Sequence, residues 1–347
     1  MMLHPSFRYN GRKSNEAGFE GFIQAIAQTG ESWEKEHVQF IMDWLNDESE
    51  IAVNTSGSTG QPKEWSVRKE LLANSARLTA NFFNCFDGTR ALLCLPSTYI
   101  AGKMMLVRAM VLGWDLHAIA PESKPLSIAF GKMDFAAFTP MQLAGMTAEE
   151  QKRLESIAQV IVGGAAVSNT LRVQLAMCSN RIFETYGMAE TLSHVALRRI
   201  MQSEEPFVAL DGVRFSVDEK SRLLIQATHI SDSILQSQDV VELIDDRHFY
   251  FRGRYDQMIN SGGVKLFPEV IERKLASIID HPFYIAAEPD EVLGQRVVLY
   301  VETTSQLNLD ACRKQWDGLL ERMEFPKAVY TKAQFERTSS GKIIRNK

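Results

Sequence analysis

In the first third of the chain, two stretches with apolar residues at helical spacing lie on either side of a short apolar run and a polar segment. Residues 19–45 carry apolar side chains every three or four positions, which predicts helix. A short apolar run at residues 51–53 predicts a strand, and residues 71–83 return to helical spacing. The polar residues 55–63 are therefore expected to form a loop between a strand and a helix.

Short apolar runs alternate with helical segments through the middle of the chain. Strands are predicted at residues 91–95, 135–138, 160–162 and 181–185, with a helix at 104–112. This alternation is typical of an α/β fold with a mostly parallel sheet covered by helices on both faces. Ligands of such sheets bind beyond the carboxyl ends of the strands, so the turns after these runs form a candidate site.

The pattern changes at about residue 207. Short strands at residues 223–227, 240–244 and 249–251 indicate an antiparallel or barrel-like section. A helix from Pro268, strands at 284–287 and 297–302, and a helix at 309–322 then predict a small α+β unit. We therefore expect a large domain at residues 1–255 and a small C-terminal domain at residues 256–347.

The length, composition and charge of the chain limit the classes of protein to which it can belong. The 347 residues suffice for two domains, and 45% hydrophobic with 23% charged residues is typical of a soluble globular protein. A net charge of −5 argues against nucleic acid as a partner, and no apolar stretch predicts membrane insertion. The four cysteines are far apart, which argues against disulfides and a zinc site and favours the cytoplasm. The sequence leaves a homo-oligomer open.

The polar loop has the composition of a phosphate cradle. Glycines let backbone N–H groups turn towards anionic oxygens, hydroxyls add donors, and a lysine adds positive charge. Pro62 stands where the Walker A motif has glycine, so that motif is excluded. A flexible linker is the alternative, but linkers are rare inside a domain. The candidate phosphate ligands are Thr55, Ser56, Gly57, Ser58, Thr59, Gly60 and Lys63.

Six segments, in this order, resemble the motifs of the adenylate-forming superfamily, which contains acyl-CoA synthetases, peptide-synthetase adenylation domains and luciferases. They are the loop at 55–63, Gly-Gly-Ala-Ala at 163–166, Tyr-Gly-Met-Ala-Glu at 186–190, Ser-Gln-Asp at 237–239, Gly-Arg-Tyr-Asp at 253–256 and Ser-Ser-Gly-Lys at 339–342. The resemblance runs from about residue 51 to residue 347.

The resemblance implies a role for each matching residue. The backbone of Gly163, Gly164 and Ala165 would lie against adenine, and Tyr186, followed by Gly187, would stack on it. Glu190 would hold Mg²⁺, and Asp239 and Arg254 would contact ribose. Asp256 would be the hinge and Lys342 the catalytic lysine.

The resemblance also implies a reaction in two steps. A carboxylate attacks the α-phosphorus of ATP to give an acyl-adenylate, and a thiol, that of coenzyme A, then displaces AMP. Between the steps the small domain rotates about Asp256, and the turn of Ser261, Gly262 and Gly263 approaches the site in place of Lys342.

Some features depart from the family pattern. Ala189 replaces a threonine, so one hydroxyl contact to the α-phosphate is lost or supplied by Thr191. The region before the loop is short, and the chain ends five residues after Lys342. Ala189 and the short region before the loop leave a non-catalytic nucleotide-binding relative as an alternative, and Lys342, Glu190 and Asp239 together argue against it. Taken singly, Glu190 is also explained as an exposed carboxylate at a helix start, Asp239 as a turn residue and Lys342 as a charge on the C-terminal tail.

The residues expected to line the acid pocket are polar. They are Tyr99, Lys103, Ser193 and His194, with Arg108 and Arg198 as further sources of positive charge. Such a pocket suits an acid with a second carboxylate or another polar substituent. For the two arginines a solvated helix face is the alternative, and another aromatic or short polar acid remains open as the substrate.

Overall fold

A computed structural model describes residues 1–54, 64–231, 233–305, 307–337 and 343–345. The helices are α1 (Phe19–Thr29), α2 (Ser32–Leu45), α3 (Lys69–Phe83), α4 (Ile100–Leu112), α5 (Pro140–Leu143), α6 (Ala148–Glu155), α7 (Asn169–Ala176), α8 (Pro268–Leu275) and α9 (Leu309–Trp316). The strands are β1 (Arg8–Tyr9), β2 (Arg12–Lys13), β3 (Glu50–Asn54), β4 (Glu64–Arg68), β5 (Arg90–Leu93), β6 (Asp115–Ala118), β7 (Met133–Phe138), β8 (Ile157–Val162), β9 (Arg181–Gly187), β10 (His194–Arg199), β11 (Phe207–Ala209), β12 (Val213–Val217), β13 (Arg222–Ala227), β14 (Leu235–Asp245), β15 (His248–Arg254), β16 (Ile259–Ser261), β17 (Val264–Leu266), β18 (Phe283–Asp290), β19 (Gly294–Glu302) and β20 (Ala328–Lys332).

The chain divides into two compact units. The first unit comprises Met1–Val167, Leu171–Arg214 and Gln226–Ile234. The second comprises Ser168–Thr170, Phe215–Ile225 and Leu235–Lys347. Asp256 lies inside the second unit, and its role as a hinge, like the boundary expected there, stays a prediction.

The first unit contains the predicted parallel sheet. Strands β1, β6, β5, β7, β8 and β9 lie side by side and run parallel, and β10 and β11 extend the sheet in antiparallel fashion. On one face, Ala136 and Val160 belong to a buried cluster with Leu171 of α7. On the other face, the ring of Phe83 from α3 lies 5.3 Å from Phe135. The expectation of a mostly parallel sheet covered by helices on both faces is confirmed.

Helix α4 lies in the interior of this unit. Its residues from Gly102 to Met110 are all buried, including the charged Lys103 and Arg108. A helix that is buried all round needs apolar residues on every side, which explains why residues 104–112 are almost continuously hydrophobic.

The N-terminal part agrees with one sequence expectation and departs from another. Residues 19–45 are helical as expected and form two helices, with a break at Gly30, where an added Cβ would collide with the backbone oxygen of Ile26. The expectation that a helix follows segment 55–63 directly was wrong, because strand β4 comes first. Strands β3 and β4 pair antiparallel, from Glu50 opposite Arg68 to Asn54 opposite Glu64. They form a two-stranded sheet separate from the parallel sheet.

The second unit has the predicted antiparallel and α+β sections. Strands β13, β14 and β15 pair antiparallel, β18 pairs antiparallel with β19, and β20 runs parallel to β19. Helices α8 and α9 place Ile271 and Trp316 in a buried cluster with Val297 and Leu299 of β19. Among the described residues, no helix is long and apolar enough to cross a membrane.

Candidate functional site

The turn after β8 and the end of β9 meet at the carboxyl edge of the parallel sheet. Val162, the last residue of β8, pairs with Glu184 of β9, so Gly163 lies beside Thr185. A Cβ on Gly163 would overlap the Thr185 hydroxyl, and Gly164 has a φ of 84°. Glycine is therefore favoured at both positions. Gly164 and Ala165 are exposed, so their backbone is accessible to a ligand.

Tyr186 and Gly187 end β9. The Tyr186 ring lies 5.7 Å from the ring of Phe207 on β11 and is 9% exposed. A Cβ on Gly187 would collide with the backbone of Ser193 and His194, so the following turn folds back closely over this glycine. The structure thus brings the Gly163 turn, Tyr186 and this turn together in one unit.

Glu190 lies at the middle of a short 3-10 helix, Ala189–Thr191, and is exposed. Among the described residues, no group of three or more His, Cys, Asp or Glu side chains is placed to hold a metal ion by itself. A single accessible carboxylate fits Mg²⁺, which keeps several waters and takes its remaining ligands from phosphates.

Thr191 stabilises the turn itself. Its hydroxyl accepts a hydrogen bond from the Met188 N–H at 2.8 Å and lies 2.7 Å from the Ser193 carbonyl oxygen. Thr191 is fully buried, and Leu192 has a φ of 62°, which is unusual for a bulky residue. The contact of Thr191 with the α-phosphate stays a prediction.

In the second unit, Asp239 and Asp256 surround Arg254. Asp239 and Arg254 are opposite each other in the β14–β15 ladder, and Arg254 Nη1 lies 3.3 Å from Asp239 Oδ1. The guanidinium also donates to both oxygens of Asp256, at 3.0 and 2.9 Å. The hydrogen bonds from Arg254 to Asp256 and the charge of Asp239 raise the pKa of Arg254. The motif residues Asp239, Arg254 and Asp256 therefore form one charged group.

The turn between β16 and β17 consists of Ser261, Gly262 and Gly263. Both glycines are exposed with positive φ, 58° and 84°, and the Gly262 N–H donates to the Leu293 carbonyl at 2.8 Å. The hairpin is therefore held from the β18–β19 connection, and its role towards coenzyme A stays a prediction.

Tyr99 and Lys103 lie at the start of α4. Tyr99 precedes the helix and is half-buried. Lys103 is 9% exposed, and its Nζ donates to the Ala52 carbonyl of β3 at 2.7 Å and lies 5.5 Å from the centroid of the Phe40 ring. Lys103 therefore joins α4 to β3, whereas its contact with the acid stays a prediction.

Arg108 forms a buried polar cluster with Ser193 and His194. Its Nη2 donates to the Ser193 hydroxyl at 3.0 Å, and Ser193 Oγ lies 3.4 Å from His194 Nδ1. Arg108 is 2% exposed, which excludes a solvated helix face. In the described part of the chain no carboxylate forms an ion pair with it, and its Nε has no hydrogen-bond partner. Burial lowers the pKa of Arg108 to about 9, so it stays cationic at neutral pH.

Arg198 is buried in a different environment. Its guanidinium lies 2.8 Å from Glu184 Oε2 and 3.0 Å from Glu204 Oε1, and Arg172 donates to the same Glu184 oxygen at 3.0 Å. The solvated-face alternative is therefore wrong for Arg198 as well. Its charge is balanced within the protein, which leaves Arg108 as the better candidate for binding an anionic substrate group.

Thr79 was not predicted as a site residue, although it belongs to the same cluster as Arg108, Ser193 and His194. Its hydroxyl lies 3.2 Å from His194 Nε2, across 115 positions of the chain. Threonine within a helix has no distinctive pattern, so only the fold reveals this contact.

Several predicted site residues lie outside the described residues. These are Lys342 and the phosphate-loop residues Thr55, Ser56, Gly57, Ser58, Thr59, Gly60 and Lys63. Their roles stay predictions.

Comparison with known proteins agrees with the arrangement of these motifs. The family model for AMP-binding enzymes matches residues 32–213, slightly more than half of the chain. An acyl-CoA synthetase (AMP-forming)/AMP-acid ligase II-like protein from Dyadobacter fermentans is 33% identical, with a TM-score of 0.64 and coverage of 93% of this chain and 95% of that one.

Two further relatives are more distant. The 2-succinylbenzoate–CoA ligase of Enterococcus faecalis is 24% identical over 330 residues, which cover 84% of this chain and 67% of the relative. The o-succinylbenzoate coenzyme A synthetase of Bacillus subtilis, solved with ATP and magnesium ion, has a TM-score of 0.72 at 17% identity. That match covers 97% of this chain and 82% of the relative, and it shows a shared fold. The chain belongs to the family of AMP-binding enzymes.

Proposed function

We propose that this enzyme is a cytoplasmic, ATP-dependent carboxylic acid–CoA ligase that acts through an acyl-adenylate. Its acid is the aromatic dicarboxylic acid 2-succinylbenzoate, so its product, 2-succinylbenzoyl-CoA, serves menaquinone biosynthesis. Membership of the AMP-binding family and the order of the motifs support the reaction class. The single observation that supports this choice of acid is the buried Arg108, which forms no ion pair with a carboxylate among the described residues.

The nucleotide would be held by residues of several motifs. The exposed backbone at Gly164 and Ala165 and the ring of Tyr186 would bind adenine. Asp239 would accept hydrogen bonds from the ribose hydroxyls, and Arg254, which lies 3.3 Å from that carboxylate, would orient it. The serine and threonine hydroxyls at 55–59 and Lys63 would bind the β- and γ-phosphates.

Mg²⁺ would be held by Glu190 together with phosphate oxygens. When bound, it neutralises the charge that develops on the phosphates as the bond to pyrophosphate breaks.

The chemistry consists of two displacements. A carboxylate oxygen of the acid attacks the α-phosphorus, and pyrophosphate leaves with the electron pair of the broken P–O bond. Lys342 would stabilise the extra negative charge on the α-phosphate. The thiolate sulfur of CoA then attacks the carbonyl carbon, the C–O bond breaks, and AMP leaves with that oxygen.

Arg108 supports an acid with two carboxylates. The ammonium or guanidinium that binds a second carboxylate must be cationic, desolvated and free of an internal counter-ion. Within the part of the chain that the structure describes, Arg108 has these properties, and Ser193 beside it follows Glu190 by three residues. The succinyl carboxylate would be activated while the ring carboxylate pairs with Arg108.

The test compares two acids in acid-dependent ATP–pyrophosphate exchange: 2-succinylbenzoate and 4-oxo-4-phenylbutanoate, which lacks the ring carboxylate. Wild-type enzyme should prefer the first acid by about a hundredfold in kcat/KM, since a desolvated charge pair contributes about 3 kcal/mol. Arg108→Met should abolish that preference. Arg77→Gln, which removes an exposed arginine from α3, should retain it.

The outcomes of this exchange assay distinguish the proposed ligase from the alternative functions. Exchange with other aromatic or polar acids but not with 2-succinylbenzoate would contradict the substrate alone and leave the ligase. No exchange with any acid would contradict the enzyme and favour a non-catalytic nucleotide-binding relative.

A further inference from the structure

A chain of hydrogen bonds leads away from Arg108 into helix α3. Arg108 Nη2 donates to Ser193 Oγ at 3.0 Å, and Ser193 Oγ lies 3.4 Å from His194 Nδ1. His194 Nε2 lies 3.2 Å from Thr79 Oγ1, and Thr79 Oγ1 donates to the Ser75 carbonyl at 3.3 Å. Thr79, His194 and Arg108 are 0%, 6% and 2% exposed, whereas Ser193 is half-buried, so water cannot readily replace the contacts that Thr79 makes with His194 and Ser75.

The groups at the two ends of this series of hydrogen bonds determine which group donates in each of them. A guanidinium only donates hydrogen bonds and a carbonyl oxygen only accepts them. All the groups between them are satisfied when Ser193 donates to His194 Nδ1, and the Nε2–H of His194 donates to Thr79. In that arrangement the imidazole carries its proton on Nε2.

His194 adds no charge to this cluster. Burial, and secondarily the charge of Arg108, lower the pKa of His194 well below its usual value. A neutral imidazole accepts a hydrogen bond at one nitrogen and donates one from the other. The positive charge in the cluster is then that of Arg108, which is available to bind an anion.

The backbone also holds this arrangement in place. The left-handed φ of 62° at Leu192 reverses the chain directly before Ser193 and His194. Thr79 lies on α3, which packs against α4, the helix that carries Arg108. Three elements thus meet at the imidazole, and each supplies one of its polar neighbours.

We propose that Thr79 and His194 are positioning residues that orient the Arg108 guanidinium and thereby set the preference for acids with a second carboxylate. This role rests on the function proposed above for its ligand, but the hydrogen-bond chain can be measured without any acid. The contrasting interpretation is an ordinary buried histidine that contributes to folding alone.

The first experiment compares Thr79→Val with Thr79→Ser. Valine has nearly the same shape but cannot accept from His194, whereas serine keeps the hydroxyl. Thr79→Val should reduce the preference for 2-succinylbenzoate over 4-oxo-4-phenylbutanoate by about fivefold to tenfold, the effect of misplacing one charge-assisted hydrogen bond. Thr79→Ser should restore the preference to within about twofold. Thermal unfolding of both variants checks that each is folded.

A purely structural role predicts another pattern. Thr79→Val would then lower kcat/KM for both acids by the same factor and leave their ratio unchanged, which would overturn the positioning role.

The second experiment measures the imidazole directly by nitrogen NMR of histidine-labelled protein without substrate. His194→Gln identifies the resonances of His194. A protonated Nε2 and an unprotonated Nδ1 in the wild type, altered in Thr79→Val, are expected. The opposite tautomer would refute the hydrogen-bond chain.

The two measurements distinguish failure of this role from failure of the proposed function. If the wild type and Arg108→Met treat the two acids alike while NMR finds the expected tautomer, the substrate assignment is wrong and the hydrogen-bond chain stands.

Discussion

Arg108 and Arg198 are both buried arginines of the first unit, yet the groups around their guanidinium groups differ. Glu184 and Glu204 neutralise Arg198, whereas Arg108 contacts the hydroxyl of Ser193 and the sulfur of Met105. Removing a cation from water without a counter-ion costs free energy that an incoming carboxylate would offset. We therefore interpret Arg108 as a residue that lowers the free energy of unfolding and provides selectivity for an acid with a second carboxylate.

The first prediction concerns the stability of Arg108→Met. Replacing a buried, unpaired charge with an apolar side chain should raise the free energy of unfolding by about 1–2 kcal/mol, although selectivity is lost. Urea unfolding measures the change, with Arg77→Gln as the surface control. A loss of stability of similar size would indicate that Arg108 is neutralised inside the protein.

His37 is expected to make stability depend on pH. It is fully buried with Tyr9 OH 3.0 Å from its Nδ1, and burial lowers its pKa from 6.5 to about 4. Because the unfolded chain binds the proton first, the contribution of neutral His37 is complete above about pH 6.5 and is lost as the pH falls towards 4. Relative to His37→Gln, the wild type should lose about 3 kcal/mol over that interval.

Urea unfolding of both proteins at several pH values measures this loss, with His281→Gln, an exposed histidine, as the control. Parallel pH profiles for wild type and His37→Gln would show that His37 does not titrate in this way.

At the level of the elements, local patterns predicted most of the fold. Strands β5, β7, β8 and β9 were predicted because each is a short apolar run ended by a turn, and the helices because of their periodicity. Strand β4 was missed because its five residues include two charges and directly follow the polar segment.

Some residues of the candidate site were likewise predictable from local patterns, and others were not. Gly163, Tyr186 and Glu190 lie in short motifs, so their position at one edge of the sheet followed from the sequence. The contact of Thr79 with His194, and the difference between Arg108 and Arg198, depend on residues far apart in the chain. No local pattern carries that information.

Lys103 gives a prediction for the hairpin of β3 and β4. Its Nζ donates to the Ala52 carbonyl, so Lys103→Met should lower the free energy of unfolding by about 1.5–3 kcal/mol, the usual contribution of a hydrogen bond to a charged group. Backbone hydrogen exchange should quicken in β3 and β4. Lys35→Met, at an exposed position of α2, serves as the control.

A direct role for Lys103 in binding the acid predicts the reverse. In that case KM for the acid would rise while stability and hydrogen exchange stay unchanged.

For the whole molecule, one active site is proposed to perform two different displacements. Lys342 is assigned to the first and the turn of Ser261, Gly262 and Gly263 to the second. Lys342→Ala should therefore lower the rate of adenylation by at least about a hundredfold, as expected for loss of a charge that stabilises the transition state. It should leave thioester formation from supplied acyl-adenylate nearly unchanged.

Single-turnover assays of each half-reaction measure the two rates, with Lys314→Ala, at an exposed position of α9, as the control. Equal loss of both half-reactions would contradict the proposed rotation about Asp256.

On the proposed mechanism the acid passes through an acyl-adenylate. The most direct measurement uses 2-succinylbenzoate with a heavy oxygen isotope in its succinyl carboxylate, followed by mass spectrometry of the nucleotide and phosphate products. Attack on the α-phosphorus and later cleavage of the C–O bond should leave one heavy oxygen atom in each AMP formed. Label in inorganic phosphate with ADP as the nucleotide product, or no label in AMP, would contradict the account.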